Sequence, residues 1–320
     1  MSTLLLAFKP DSLSDAQVDS VREAAPGMRV VVANAQADIE ALLDGIEVAV
    51  GEFPRELLPN APRLRWFQQW GAGADWLLRH PDAVEAGFVL TSASGVHAIP
   101  ISEHILAVML AFARALPQAV RDQEGVNWNP AGESNVFELA GKTMLLVGVG
   151  EIGARTARLA AALDMRVVGV RRDSSQGVAG VAQMQGRDAL PALLPEADFV
   201  VLTVPLTRAT RGMIGEAELR AMKESAYLIN IGRGGTVSEA DLVRALNEGW
   251  IAGAGLDVFE DEPLPEDSPL WGMDNVLVTS HYSGTTPHYD SRALEIFLGN
   301  LRRYLAGEPL RNVVDKSRGY

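Results

Sequence analysis

The stretch 143–172, TMLLVGVGEIGARTARLAAALDMRVVGVRR, restricts the fold more than any other part of the chain. An apolar run, Met144 to Val149, leads into Gly148, Gly150 and Gly153, and an Ala-rich helical segment then delivers the chain to a second β-branched run, Arg166 to Val170. Strand, glycine turn, helix and strand in that order make a βαβ unit suited to a dinucleotide. The three glycines serve different ends. Gly148 permits the tight turn, Gly150 leaves room for a pyrophosphate to reach backbone, and Gly153 lets the helix lie close to the strand. The start of the helix offers unpaired N–H groups and a positive dipole end to the diphosphate.

The edge after the second strand selects the nucleotide. An Asp or Glu there accepts hydrogen bonds from the adenosine ribose and repels a 2′-phosphate. This chain has Arg171 and Arg172 instead, followed by Ser174, and two guanidinium groups would bind that phosphate. The expected cofactor is NADP(H), with weaker binding of NAD(H).

With 320 residues, 48% of them hydrophobic, the chain is long enough for two cores and long for one. A net charge of −13 opposes nucleic acid or an anionic membrane as partner, so an anionic cofactor must be met by local arginines. The absence of cysteine excludes disulfides, thiolate nucleophiles and zinc–thiolate sites, and fits a reducing cytoplasm. The opening run Leu4 to Phe8 is too short for a signal peptide or a membrane span and reads as a first strand.

Further strands are expected at Val30–Ala33, Val48–Gly51, Leu64–Gln69 and Phe88–Ser92, alternating with helical stretches. The turn 71–75, GAGAD, follows the fourth strand of the domain, either as a nest for a carboxylate or as a plain strand-to-helix turn. Pro100 to Arg114 is an apolar helix joining two domains, which Pro117 should kink or end. Gln118 to Leu139 has little periodicity and reads as an exposed arm carrying Trp128 and Phe137, a dimer contact. Beyond Arg172, Gln176 to Gly186 reads as a loose surface loop. Strands at Phe199–Val204, Tyr227–Ile231, Ile251–Val258 and Val276–Thr279 complete six in the second domain. An amphipathic helix, Ser291 to Leu305, should return to the first. The fold class is therefore α/β with two doubly wound parallel-sheet domains. A Rossmann cofactor domain, 99–284, is inserted in a flavodoxin-like substrate domain, 1–98 and 285–320.

Three polar side chains stand where strands of the second domain end: Arg233 in NIGRGG, Glu262 in LDVFEDEP and His281 in VLVTSHYSG. Of the five histidines, only His281 lies directly beyond a buried strand on the ligand side of the sheet. His80, His104 and His288 read as structural or exposed, and His97 lies near the domain junction.

The Gly-rich unit, PLTRATRGMI, LINIGRGG, GAGLDVFEDEPLP and the late histidine occur in the order found in the D-2-hydroxyacid dehydrogenase family, which the chain resembles throughout its length. The resemblance implies that Arg233 anchors the carboxylate and keto oxygen of a 2-keto acid, that His281 is the acid/base, and that Glu262 orients and charges the imidazole. It implies Asp257 on the nicotinamide carboxamide, and backbone N–H groups of Ala72 and Gly73 on the substrate carboxylate. Glu151, Ile152, Pro205 and Ile231 join the glycines in the cofactor site. Glu262 is chosen over Glu260 and Asp261 because the family's acid immediately precedes a proline, here Pro263.

Two positions depart from the family. Ser280 precedes the histidine where proline is common, and Asp164 closes the helix after the Gly-rich turn where glycine is common. Asp tolerates a left-handed cap at modest cost.

The chemistry is consistent with these roles. Hydride addition to a keto carbon leaves negative charge on oxygen, which calls for a cation and a proton donor, and a carboxylate beside an imidazole favours the imidazolium. No metal is required. Phosphoglycerate or formate dehydrogenase and a corepressor-like nucleotide-sensing module are alternatives on the same scaffold. The first is opposed by an end at Tyr320 without room for a regulatory domain, the second by Glu262 where formate enzymes commonly carry glutamine, and the third by the presence of Arg, Glu and His together.

Overall fold

The computed structural model describes residues 2–10 and 12–319. The chain divides into two compact units, one running through Val96 and resuming at Thr286, the other spanning His97–Thr285.

In the first unit, five parallel strands are ordered β2-β1-β3-β4-β5: β1 Thr3–Ala7, β2 Arg29–Val32, β3 Ile46–Gly51, β4 Trp66–Gln69 and β5 Val89–Thr91. Both faces of β1 are buried, which is why it reads as an unbroken apolar run. Leu4 and Leu6 face one core with Val48, Val50 and Trp66; Leu5 and Ala7 face another with Ala49, Phe67 and Leu90. The helix Asp15–Ala24 begins at a Ser14 capping box closed by Gln17. The helix Tyr289–Leu305 lays Leu294, Phe297 and Leu301 into the first of these cores, where Phe297 stacks on Trp66. Its apolar stripe thus packs on the opening strands. After it, Val313 bridges Thr91 in antiparallel sense.

The second unit carries seven parallel strands in the order β12-β11-β10-β9-β6-β7-β8. They are β6 Thr143–Val147, β7 Arg166–Val170, β8 Gln183–Gln185, β9 Phe199–Leu202, β10 Tyr227–Asn230, β11 Gly253–Leu256 and β12 Val276–Val278. The order reverses between β6 and β9, so a crevice opens at the carboxyl ends of those strands.

Several expectations need correction. β8 lies in the stretch read as a loose loop, because Gln183 and Gln185 flank a single apolar Met184 and give no β pattern. It forms by pairing with the edge of β7, Val168 to Gln183 and Val170 to Gln185. The linking helix, Ala98–Ala113, ends before Pro117, at the left-handed Ala115 (φ 53). Residues 116–124 form a second helix, Leu116–Glu124, with Pro117 in its first turn, where a missing N–H costs nothing. Residues 118–124 are therefore not part of an aperiodic arm. Nor is Phe137 exposed: it stacks on Tyr227 at 5.7 Å and packs against Phe199. Trp128 is 99% exposed. Among the described residues no single helix is long and apolar enough to cross a membrane; the pair Ala98–Ala113 and Leu116–Glu124 reaches that composition only together and is bent by 70°.

Asp164 takes φ 58 after the helix Glu151–Ala162. Its N–H reaches Ala161 O and that of Met165 reaches Ala160 O, the paired bonds of a left-handed helix stop.

Candidate active site

The cofactor turn is built from backbone. Gly148 sits at φ +102, where a Cβ would press on Val204 and Thr203 at 2.9–3.0 Å. Its N–H is held by Val170 O and its carbonyl by the Thr203 hydroxyl. A Cβ on Gly153 would overlap the Gly148 carbonyl, so glycine there sets how near the helix lies to β6. At Gly150 a Cβ would meet nothing within 4 Å, so packing does not demand glycine there. That position borders open space at the N-terminus of the helix Glu151–Ala162, as the pyrophosphate of a dinucleotide requires. Glu151 is exposed in the first turn, Ile152 packs partly into the core, Ile231 is buried beyond β10, and the Pro205 carbonyl accepts the Thr210 hydroxyl at 2.6 Å. The residues present fit a dinucleotide.

At the end of β7 the Arg171 guanidinium donates to the carbonyls of Asp173 and Gln176, the latter at 2.8 Å, so it braces its own loop; Arg172 is exposed. Asp173 is a carboxylate at this edge that was not among the expected site residues. It accepts the Ser175 hydroxyl at 2.6 Å and N–H at 3.0 Å; those bonds, with the charges of Arg171 and Arg172, hold it below the usual carboxylate range.

Arg233 follows β10 in extended conformation. Its loop is tied by Asn230, which is buried: Nδ2 donates to Arg233 O at 3.1 Å and Oδ1 accepts Gly232 N–H at 3.1 Å. A Cβ on Gly234 would overlap the Phe259 backbone, so that glycine lets the Arg233 loop touch the chain leaving β11. The Arg233 guanidinium donates to Gly232 O at 2.8 Å.

The chain leaving β11 carries Asp257 and Glu262. Glu262 Oε1 accepts Phe259 N–H at 3.0 Å, and Oε2 lies 2.7 Å from His281 Nδ1. With Nδ1 held by Glu262, Nε2 is the ring nitrogen that does not face the carboxylate. Glu260 is engaged elsewhere, accepting Glu239 N–H at 3.1 Å. Asp257, 1% exposed, accepts the Thr279 hydroxyl at 2.6 Å, Tyr282 N–H at 3.1 Å and Ser283 N–H at 3.0 Å. Its carboxylate therefore fastens the turn that holds His281, whose φ is +52.

Two histidines outside the expected site lie against this turn. His97 Nδ1 is 3.1 Å from Gly284 O, and His104 Nε2 is 3.3 Å from Thr279 Oγ1. Burial is the main cause that holds both below the ordinary imidazole value. For His97 the charges of Arg233 and His281 act in the same direction against the Gly284 carbonyl, and for His104 Asp257 opposes. The only sequence signal for this pair is their spacing of seven, one helix face, and it says nothing about what that face meets.

In the first unit, Ala72 and Gly73 lie beyond β4. Gln69 Nε2 donates to Gly71 O at 3.0 Å and Gly73 O at 2.7 Å, while its Oε1 accepts Trp76 Nε1 at 2.7 Å. Across a trans peptide these two bonds turn the N–H groups of Ala72 and Ala74 away from Gln69; they do not orient that of Gly73. No group of His, Asp and Glu that could hold a metal occurs among the described residues.

A Rossmann sheet with this glycine turn at its switch point, and a histidine–carboxylate pair beyond its later strands, defines an oxidoreductase of the NAD(P)-binding class. A family model described as D-isomer specific 2-hydroxyacid dehydrogenase, NAD binding domain, matches residues 106–283. A glyoxylate reductase of Korarchaeum cryptofilum (strain OPF8) is 35% identical, over 94% of this chain and 90% of that protein. A D-isomer specific 2-hydroxyacid dehydrogenase from Xanthobacter autotrophicus Py2, solved with NADPH and MES, has a TM-score of 0.86 at 32% identity, covering 100% of this chain and 99% of the other. The NADPH-dependent glyoxylate/hydroxypyruvate reductase of Sinorhizobium meliloti, solved with NADP and sulfate, has a TM-score of 0.84 at 30% identity and covers 100% of both. The chain belongs to the D-isomer specific 2-hydroxyacid dehydrogenase family and is an enzyme of that family.

Proposed function

We propose that the enzyme reduces a 2-keto acid to a D-2-hydroxy acid, reversibly, with NADPH in preference to NADH. The observation that carries this reading is the 2.7 Å contact between His281 Nδ1 and Glu262 Oε2, with the other carboxylate oxygen held by Phe259 N–H. A proton donor fixed through Nδ1 points Nε2 at a reacting oxygen, which is what a ketone needs as charge develops on it. When bound, the nicotinamide supplies hydride to the keto carbon. Arg233 binds the substrate carboxylate and polarises the carbonyl. His281 delivers its Nε2 proton to the oxygen, and Glu262 stabilises the imidazolium and sets its orientation. Ala72 and Gly73 give backbone N–H groups to the carboxylate. Asp257 takes the carboxamide as well as the His281 turn, and Gly148, Gly150, Glu151, Ile152, Gly153, Pro205 and Ile231 line the cofactor. Arg171 and Arg172 supply the positive edge for the 2′-phosphate.

In this reading the first unit binds substrate and the second binds cofactor, and the protein works as a homodimer. Relatives named glyoxylate reductase and glyoxylate/hydroxypyruvate reductase put those two acids first in a screen. The test follows NADPH absorbance with glyoxylate, hydroxypyruvate and bulkier 2-keto acids. At least one should be reduced. NADPH binding without turnover on any of them would overturn the reading in favour of a nucleotide-sensing module.

A further inference from the structure

His281 has φ +52, in the left-handed region that residues other than glycine adopt uncommonly. Two sets of groups hold its neighbours in the chain. In the first, Asp257 gathers the Thr279 hydroxyl and the N–H groups of Tyr282 and Ser283. In the second, the helix Ala98–Ala113 with its cap residue His97 presents two imidazoles seven residues apart, two turns on one face. His97 Nδ1 meets Gly284 O, and Gly284 is close enough that a Cβ there would lie 2.5 Å from that nitrogen. His104 Nε2 meets the Thr279 hydroxyl, and its ring stands edge-on to Tyr282 at 5.9 Å and 89°.

The direction of the bonds can be assigned. Thr279 has one hydroxyl proton, and the 2.6 Å contact directs it to Asp257 Oδ1, since a buried carboxylate only accepts. The Thr279 oxygen must then accept from His104, so His104 Nε2 carries a proton. Burial, which holds His104 below the ordinary imidazole value, favours the neutral ring with its proton on that nitrogen. The result is a directed chain from His104 N–H through Thr279 O–H to Asp257, whose carboxylate also accepts the backbone N–H groups of Tyr282 and Ser283 just after His281.

We propose that His104 is a positioning residue for the reaction: through Thr279 it orients the Asp257 carboxylate, and through Asp257 the turn that holds His281 in place. The inference rests on the reading that His281 is the acid/base. It adds a residue on the linking helix that touches neither substrate nor cofactor and is needed for full turnover.

The test compares His104→Leu, which removes the donor, with His104→Gln, whose amide can place an N–H where Nε2 stands. Single-turnover reduction of the best 2-keto acid should slow about three- to tenfold in His104→Leu, the worth of one net hydrogen bond. The Kd for NADPH, read by fluorescence, should rise by less than the rate falls, since Asp257 meets only the carboxamide of the cofactor, and His104→Gln should recover most of the rate. Combining His104→Leu with Thr279→Val should be no slower than Thr279→Val alone, because both cut one chain. An unchanged rate in His104→Leu, an equal loss in His104→Gln, or additive losses in the double variant would each overturn the proposal. Should His104→Leu fail to fold, Thr279→Ser against Thr279→Val reads the same hydroxyl, and equal rates in those two overturn it. His281→Ala serves as control: if it retains full turnover, the functional reading has failed rather than this inference.

Discussion

Glu262→Gln probes the dyad most directly, because the two carboxylate oxygens have different duties. Oε1 accepts Phe259 N–H at 3.0 Å, and Oε2 faces His281 Nδ1 at 2.7 Å. A glutamine of the same shape must put oxygen at one place and NH2 at the other. With NH2 toward Phe259, two donors meet. With NH2 toward His281, Nδ1 must be the unprotonated nitrogen, and the imidazolium cannot form without a clash of donors. Either arrangement leaves one group without its acceptor, which costs about 1–3 kcal/mol when buried. The side chains of His281 and Glu262 are 47% and 35% exposed, so water offsets part of that and about 1–2 kcal/mol remains. At about 1.4 kcal/mol per tenfold, keto-acid reduction should slow roughly five- to thirtyfold. The assay is single-turnover oxidation of NADPH, with a deuterated nicotinamide to verify that hydride transfer is being observed. Glu262→Ala, which removes both acceptors, should be at least as slow. A glutamine variant that keeps more than about half of the native rate would refute the reasoning, since neither oxygen would then matter to the proton.

The remaining predictions address other parts of the site. His281→Ala should lose about 10²–10⁴-fold in turnover, the usual worth of general acid–base catalysis, while still binding NADPH; retention of about a tenth of native turnover removes the assignment. Replacing Arg171 and Arg172 together with alanine should raise KM for NADPH about ten- to a hundredfold with little effect on NADH. Since Arg171 also braces the carbonyls of Asp173 and Gln176, the single Arg171→Ala should in addition expose the 173–176 loop to proteolysis; equal kcat/KM for the two cofactors in the native enzyme would refute the phosphate site. Gly234→Ala should destabilise by about 1–3 kcal/mol or more, because its Cβ overlaps the Phe259 carbonyl; an unchanged urea midpoint would show that the loop can move aside. Light scattering at micromolar concentration should give a dimer that weakens on Trp128→Ser, since Trp128 is 99% and Val126 91% exposed; a monomer mass excludes the homodimer.

What is legible in the sequence is what short stretches of chain decide for themselves. Apart from β8, the strands lie within about two residues of the apolar runs, and those buried on both faces, such as β9, are apolar throughout. Gly148 and Gly153 announce the cofactor turn because no other residue meets both its backbone angle and its close approach. Asp164 announces a left-handed stop, and takes φ 58. The edge strand Gln183–Gln185 is not legible: its pattern is polar, and only the edge of β7 makes it a strand. Phe137 is hidden for the same kind of reason, since the rings of Phe199 and Tyr227 that cover it are far away in the chain.

The sequence by itself determined the two α/β sheets, the dinucleotide turn, and which residue types stand at the strand ends, because backbone propensity, glycine sterics and apolar periodicity act over a few residues. Family resemblance singles out Glu262 among three neighbouring acids, but only the tertiary structure decided that its Oε2 meets His281 while Glu260 turns to Glu239. The tertiary structure also decided that the Asp257 carboxylate fastens the turn around His281, and that His104 reaches that turn through Thr279. Those contacts join residues 19 to 175 apart in the chain. A hydrogen bond tolerates only a few tenths of an ångström of error in the separation of its atoms, and no local rule sets that separation until the strands between have been packed.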